Sequence, residues 1–184
     1  GQPRTGLVLR SRSRGRGQHH PRRPARIGAL GHLLDLETQP QQEAVARHFA
    51  DFGIGTRNIF VGNGSDEVLA HAFMALLKHD TPILFPDITY SFYPVYCGLY
   101  GVDYQTVPLA DDFSIRIEDY KRDAGAIIFP NPNAPTGLLS PLQNIEALLQ
   151  QHPDQPVVID EAYIDFGGES AVPLIAKYPN LLVV

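Results

Sequence analysis

Short apolar segments alternate with helical patterns along most of the chain, and this alternation limits the fold more than any other feature. The apolar segments are Ile59–Val61, Ile83–Phe85, Val102–Val107, Ala126–Phe129, Val157–Ile159 and Leu181–Val184. Helical patterns lie around residues 44–52, 65–77, 91–99 and 142–150. Strands that alternate with helices favour a largely parallel sheet covered by helices on both faces. The predicted fold class is therefore α/β.

Several helix boundaries can be predicted from single residues. Gly53 and Gly55 follow the first helical pattern and are typical of a helix end. Ser65 is placed to cap the second helix, and the acidic residues after it suit a first turn. Ser140 is predicted to cap the last helix, with Pro141 at its first position.

Charge divides the chain into two parts. The first 26 residues contain eight arginines and no acid, whereas the rest carries a net charge of −13. We predict that residues 1–40 are a disordered or non-native segment and that 41–184 form the folded part. An unstructured tail without function, a targeting peptide, an RNA-binding arm and a non-native stretch all remain open for the arginine-rich part. The acidic body itself is a poor match for nucleic acid.

Composition excludes several classes of protein. The single cysteine, Cys97, rules out an intramolecular disulfide and a cysteine-rich zinc site, and it fits a reducing compartment. No apolar run approaches the 18 or more residues that a membrane span needs. The seven histidines are scattered, so no metal site is predicted.

Three segments carry candidate chemistry, each where a predicted strand ends. Gly62–Glu67 opens a helix with a glycine-containing turn, where free N–H groups favour an anion such as phosphate, although a plain tight turn reads the same way. Asn131–Gly137 holds asparagine amides in a proline-rich loop. Val157–Tyr163 places Asp160 at a strand end, as either a functional carboxylate or a turn residue.

Other nucleotide-binding and hydrolytic motifs are missing. None of the lysines follows a glycine, so the phosphate loop of ATPases is excluded. Glu67 stands where the dinucleotide fingerprint needs its third glycine. The Gly-x-Ser-x-Gly turn of serine hydrolases is also absent.

Taken together, the segments resemble one enzyme family. Asn58–Glu67, Tyr90–Tyr93, Asn131–Gly137 and Asp160–Phe166 are similar, in order and content, to fold-type I aminotransferases that depend on pyridoxal 5′-phosphate (PLP). The nearest group is the histidinol-phosphate aminotransferases. The resemblance covers residues 41–184 and less than half of a family member, which implies part of the large, PLP-binding domain.

The resemblance implies a task for each matched residue. Gly64, Ser65 and Asp66 would bind the phosphate of the cofactor through N–H groups at the helix start. Tyr90 would stack on the cofactor ring. Asp160 would pair with the ring nitrogen and keep it protonated, because a nearby negative charge favours the charged form.

The phenolic oxygen of the cofactor is the remaining group to be bound. The resemblance assigns it to Tyr163 and one asparagine. Many family members carry that asparagine directly before Pro-Thr-Gly, where this sequence has Ala134. We therefore predict Asn133 as the contact and keep Asn131 as the alternative.

The family's catalytic lysine has no counterpart in this sequence. Lys78, Lys121 and Lys177 all lie in other sequence contexts. We therefore expect the chain alone to be inactive, because this lysine carries out both covalent catalysis and proton transfer.

The resemblance also implies what the full-length protein does. It implies transfer of an amino group between histidinol phosphate and 2-oxoglutarate by a cytoplasmic homodimer in histidine biosynthesis. A non-catalytic cofactor-binding module and a relative acting on another amino acid or amino phosphate remain open. Nucleic-acid binding through the arginine-rich tail is the third hypothesis.

Overall fold

The fold is built on one seven-stranded sheet. A computed structural model describes residues 7–10, as backbone, and residues 39–184. The strands are β1 (Leu7–Arg10), β2 (Ile59–Val61), β3 (Ile83–Pro86), β4 (Tyr104–Val107), β5 (Ile127–Pro130), β6 (Val157–Asp160) and β7 (Leu181–Val183). Their order in the sheet is β2-β1-β7-β6-β5-β3-β4, and every pairing is parallel. The prediction of a mostly parallel sheet is confirmed.

Four α-helices in the described residues connect these strands. They are α1 (39–48), α2 (Ser65–Ala75), α3 (Tyr93–Tyr100) and α4 (Leu142–Gln151). Short 3₁₀ turns lie at Ala50–Phe52, Thr56–Asn58, Ile117–Tyr120, Ile164–Phe166 and Val172–Leu174. Gly53 ends the first of these turns with φ of 73°, a left-handed conformation that glycine adopts without steric cost.

Helices cover both faces of the sheet, as predicted. Alternate residues of β5 face opposite sides, so Ile127 and Phe129 pack in one core and Ile128 packs in the other. The core that contains Ile127 receives apolar side chains from α1 and α4. The core that contains Ile128 receives them from α2 and α3. This two-sided burial explains why the strands read as continuous apolar runs.

Two helices begin one residue away from the predicted position. Gly64 is the N-cap of α2 and Ser65 is its first helical residue, so the predicted serine cap is wrong. Pro141 is the N-cap of α4, and Ser140 lies one residue before it. Neither cap position forms a side-chain hydrogen bond to the helix.

Part of the arginine-rich segment contributes to the sheet. Strand β1, which spans residues 7–10, lies between β2 and β7 and pairs with both. It falls inside the segment predicted to be disordered, where an apolar triplet between arginines is too short to give a periodic pattern. Residues 39 and 40 belong to α1. Apart from residues 7–10, the alternatives given above for the arginine-rich segment concern residues that lie outside those that the structure describes.

The longest α-helix of the described residues, α2, has 11 residues. No helix in this part of the chain combines the length and the apolar character needed to cross a bilayer.

The parallel topology determines where a site can form. Because all the strands run in one direction, the loops that follow β2, β3, β5 and β6 meet at the same edge of the sheet. These loops contain the three segments that were selected from the sequence.

Candidate cofactor site

The start of α2 forms the first wall of the site. Gly64 has φ of 103°, and a Cβ added there would meet no atom within 4 Å. The first N–H groups of a helix lack intrahelical acceptors and lie at the positive end of the helix dipole. Among the described residues, the Ser65 hydroxyl also has no hydrogen-bond partner. The turn therefore offers donors to an anion.

Tyr90 crosses from the loop after β3 to the start of α2. Its hydroxyl donates a hydrogen bond to Asp66 Oδ1 at 2.6 Å. Burial and this contact raise the pKa of Tyr90 well above its ordinary value, so the phenol stays protonated. Tyr96 donates to the main-chain oxygen of Asp66 at 3.0 Å. The carboxylate of Asp66 is thus engaged by Tyr90, which leaves its N–H group as its contribution to an anion site.

Asp160 lies at the end of β6 and is only 5% exposed. Its Oδ2 accepts a hydrogen bond from the Tyr93 hydroxyl at 2.9 Å, and its Oδ1 accepts one from the Ala162 N–H at 3.2 Å. Burial raises the pKa of Asp160, although both hydrogen bonds favour the carboxylate. Within the described part of the chain, no basic side chain forms an ion pair with it. A buried carboxylate without a cation is costly, and a positively charged ligand would relieve that cost.

The loop after β5 is held by its two asparagines. Asn131 exchanges two hydrogen bonds with the main chain of Ser140, at 2.8 and 3.1 Å. Asn133 is 1% exposed, accepts from the Thr89 hydroxyl at 3.2 Å and donates to the Ile88 carbonyl at 3.0 Å. Both amides therefore stabilise the loop. The prediction that Asn133 contacts a ligand remains a prediction.

Tyr163 stands at the outer side of the site. Its side chain is 53% exposed, and its ring centroid lies 6.1 Å from that of Phe166. Among the described residues, its hydroxyl forms no hydrogen bond with the other candidate side chains. The hydroxyl is therefore available to a ligand.

Glu161 follows Asp160 but performs a different task. Its two carboxylate oxygens accept hydrogen bonds from the Ser170 hydroxyl and the Ala171 N–H, both at 2.6 Å. Burial raises the pKa of Glu161, as it does for Asp160. These hydrogen bonds connect the loop after β6 to the segment that precedes β7.

Three residues of this region form contacts that were not predicted from the sequence. Tyr93 and Tyr96 contact the two acidic residues of the site, and Thr89 contacts Asn133. The spacing of Tyr93 and Tyr96 was a usable signal, because residues three apart share one face of a helix. Tyrosine is also common in the core, so these residues could not be distinguished from the apolar residues of a packed helix.

The lysines lie away from these loops. Lys78 donates to the Tyr100 carbonyl at 3.1 Å, and Lys177 pairs with Glu146 on α4. Lys121 follows the 3₁₀ turn at Ile117–Tyr120, before β5 begins. None of the three contacts a candidate residue among those that the structure describes.

Potential metal ligands do not gather at one place in the described residues. No cluster of three or more histidine, cysteine, aspartate or glutamate side chains that could hold an ion occurs among them.

Comparison with known proteins identifies the family. A sequence model for "Aminotransferase class I and II" matches residues 33–184. The chain therefore belongs to the class I and II aminotransferase family.

Close relatives carry a more specific name. Histidinol-phosphate aminotransferase 2 of Dechloromonas aromatica is 68% identical over 165 residues, which cover 87% of this chain and 46% of the relative. Histidinol-phosphate aminotransferase of Aromatoleum aromaticum is 67% identical over 170 residues, which cover 89% of this chain and 48% of the relative. The chain thus spans slightly less than half the length of these curated relatives.

Solved structures support the fold. Histidinol-phosphate aminotransferase from Sinorhizobium meliloti, in complex with pyridoxal 5′-phosphate, matches with a TM-score of 0.68 and 26% identity, over 80% of this chain and 41% of that one. Aspartate aminotransferase from Thermus thermophilus with maleate matches with a TM-score of 0.69 and 23% identity, over 77% of this chain and 41% of that one. The described sheet and helices are therefore those of the fold-type I α/β architecture.

Proposed function

We propose that this chain is the PLP-binding part of an aminotransferase that moves an amino group between histidinol phosphate and 2-oxoglutarate. The observation that carries the proposal is the buried carboxylate of Asp160, which has no cationic partner among the described residues and lies at the same sheet edge as the start of α2. The names of the relatives at 67–68% identity support the choice of substrate.

The residues at this edge fit the chemical groups of PLP. A phosphate needs several donors, and the first turn of α2 offers its N–H groups together with the Ser65 hydroxyl. A protonated pyridine nitrogen needs an acceptor with negative charge, which Asp160 supplies. The flat ring needs an aromatic neighbour, and the half-buried ring of Tyr90 contacts Asp66 at the start of α2 and lies 5.6 Å from the ring of Tyr93.

When bound, PLP acts as an electron sink that stabilises negative charge on the substrate carbon. The chain's own residues bind and orient it. Asp160 holds the proton on the ring nitrogen, and Gly64, Ser65 and Asp66 retain the phosphate. Tyr163 and Asn133 are proposed to donate hydrogen bonds to the phenolic oxygen, for which the exposed Tyr163 hydroxyl is better placed than the already bonded Asn133 amide.

A second function is favoured by the positions of the lysines. Lys78 and Lys177 are engaged by other groups, and Lys121 lies before β5. The 184-residue chain on its own would then bind PLP reversibly and would not transfer amino groups. This is the proposed behaviour of the isolated chain, and the transaminase activity is proposed for the full-length protein.

The family resemblance also supports a proposal on the setting of the full-length protein. We expect a cytoplasmic homodimer that uses histidinol phosphate and glutamate or 2-oxoglutarate as substrates.

A chimera tests the proposed function. Residues 41–184 of this chain would replace the matching segment of the Dechloromonas aromatica relative, which supplies the rest of an enzyme. We expect transamination of histidinol phosphate within about tenfold of the parent, because a well-matched site loses little transition-state stabilisation. Activity would be followed by glutamate formation from 2-oxoglutarate.

The control is the same chimera with Asp160→Asn, which should lose most of its activity. A folded, PLP-loaded chimera that transfers amino groups from another donor but not from histidinol phosphate would contradict the proposed substrate.

A further inference from the structure

We infer that Tyr93 is a positioning residue that holds the carboxylate of Asp160 ionised and correctly oriented for a cationic ring nitrogen. The inference rests on the proposed function, because it assigns Asp160 to the pyridine end of PLP. The observation behind it is one buried contact, in which the Tyr93 hydroxyl donates to Asp160 Oδ2 at 2.9 Å.

The ring of Tyr93 is fixed before any ligand arrives. The side chain is fully buried and packs edge-on against Phe85, with ring centroids 5.7 Å apart and planes at 66°. Tyr90 lies on another side at 5.6 Å and 82°, and Phe73 lies at 5.8 Å. A phenol held by three aromatic neighbours has little rotational freedom, so its hydroxyl stays directed at one carboxylate oxygen.

The two oxygens of the Asp160 carboxylate accept hydrogen bonds from different donors. Oδ2 accepts from Tyr93, while Oδ1 accepts from the Ala162 N–H at a longer 3.2 Å. A carboxylate has about four lone-pair positions. Two fixed donors therefore set the plane of the carboxylate and still leave acceptor capacity for a ligand N–H.

The charge balance around Asp160 makes this donor important. The titratable groups that face it are Asp66 at the start of α2, Tyr90, Tyr93 and Tyr96 in and before α3, and Glu161 beside it in the chain. None of these groups is a cation. Burial and the negative charge of Asp66 favour the protonated acid, whereas Tyr93 and the Ala162 N–H favour the carboxylate. Tyr93 is thus the only side chain among these groups whose hydrogen bond supports the charged form.

Tyr93 itself remains a donor throughout. Its pKa is raised well above the ordinary value, first by burial and then by the charge of Asp160. A phenol that does not ionise cannot repel the carboxylate and always has a proton to share.

The test compares Tyr93→Phe with Tyr96→Phe in the full 184-residue chain. Both variants remove one hydroxyl from a buried tyrosine of α3, but Tyr96 donates to the main-chain oxygen of Asp66 instead of to Asp160. The carboxyl carbon of Asp160 would be titrated by NMR, with its signal assigned from an Asp160→Asn sample. Tyr93→Phe should raise the Asp160 pKa by about one pH unit, as expected for the loss of a hydrogen bond to the charged form.

Cofactor binding gives the second readout. Titration with PLP should show about tenfold weaker binding to Tyr93→Phe than to the unmodified chain. Equal Asp160 pKa values in the two variants would overturn the inference. Failure of the unmodified chain to bind PLP would instead contradict the proposed function, and the NMR titration would still decide the role of Tyr93.

A measurement on the unmodified chain guards against a variant that does not fold. The hydroxyl proton of Tyr93 is buried, and its NMR signal should shift with the same midpoint as the carboxyl carbon of Asp160. Independent midpoints would overturn the inference without any substitution.

Discussion

Replacement of Asp160 with asparagine is expected to weaken PLP binding by the chain at least about a hundredfold. The substitution keeps the shape of the side chain and removes the negative charge that would face the ring nitrogen. Loss of one partner from a buried charge pair costs about 3 to 5 kcal/mol, and every 1.4 kcal/mol is a factor of ten in affinity. The affinity would be measured by titration with PLP, following the absorbance of the cofactor.

The matched control is Asp165→Asn, which changes an exposed carboxylate of the 3₁₀ turn Ile164–Phe166. It should alter the affinity by less than about twofold, because exposed charges interact weakly. Equal affinities of the Asp160 and Asp165 variants would contradict the assignment of Asp160. Unfolding midpoints of both variants would show that the comparison is between folded proteins.

The second large effect is expected on stability, for Glu161→Ala. This change leaves the Ser170 hydroxyl and the buried Ala171 N–H without their acceptor. The unsatisfied buried Ala171 N–H costs about 1 to 3 kcal/mol, and the half-buried Ser170 hydroxyl can bond to water instead, so we expect the free energy of unfolding to fall by about 1 to 3 kcal/mol. Urea denaturation followed by circular dichroism would measure it.

Glu169→Ala is the control for this prediction. Glu169 lies in the same loop and is exposed, so its loss should change the free energy of unfolding by less than about 0.5 kcal/mol. A Glu161 variant as stable as the Glu169 variant would show that the two short hydrogen bonds contribute nothing to folding.

Much of the fold was predictable because the central strands β3, β5, β6 and β7 are buried on both faces. That burial makes runs such as Ile127–Phe129 continuously apolar, and the structure has the strand at Ile127–Pro130. The helix starts were less accurate. Gly64 takes the cap position expected for Ser65, because a glycine with positive φ can turn the chain there. Strand β1 was missed, since its place depends on pairing with β2 and β7.

The candidate site could be predicted only in part. Asp160 was found because a carboxylate that ends an apolar strand contrasts with its neighbours. The role of Glu161 could not be predicted, because its contacts with Ser170 and Ala171 depend on how the chain folds back after β6. The contact between Tyr93 and Asp160 was not predicted either, because it joins residues 67 positions apart.

The proposed function requires that the 184-residue chain forms a PLP site, in which none of its three lysines is expected to bind the cofactor covalently. The most direct test adds PLP, reduces with borohydride and maps any adduct by mass spectrometry. We expect a saturable change in cofactor absorbance and no single modified lysine, because Lys78 and Lys177 are engaged by other groups and Lys121 lies before β5. One stoichiometric adduct on any of these lysines, or no change in absorbance at all, would contradict it.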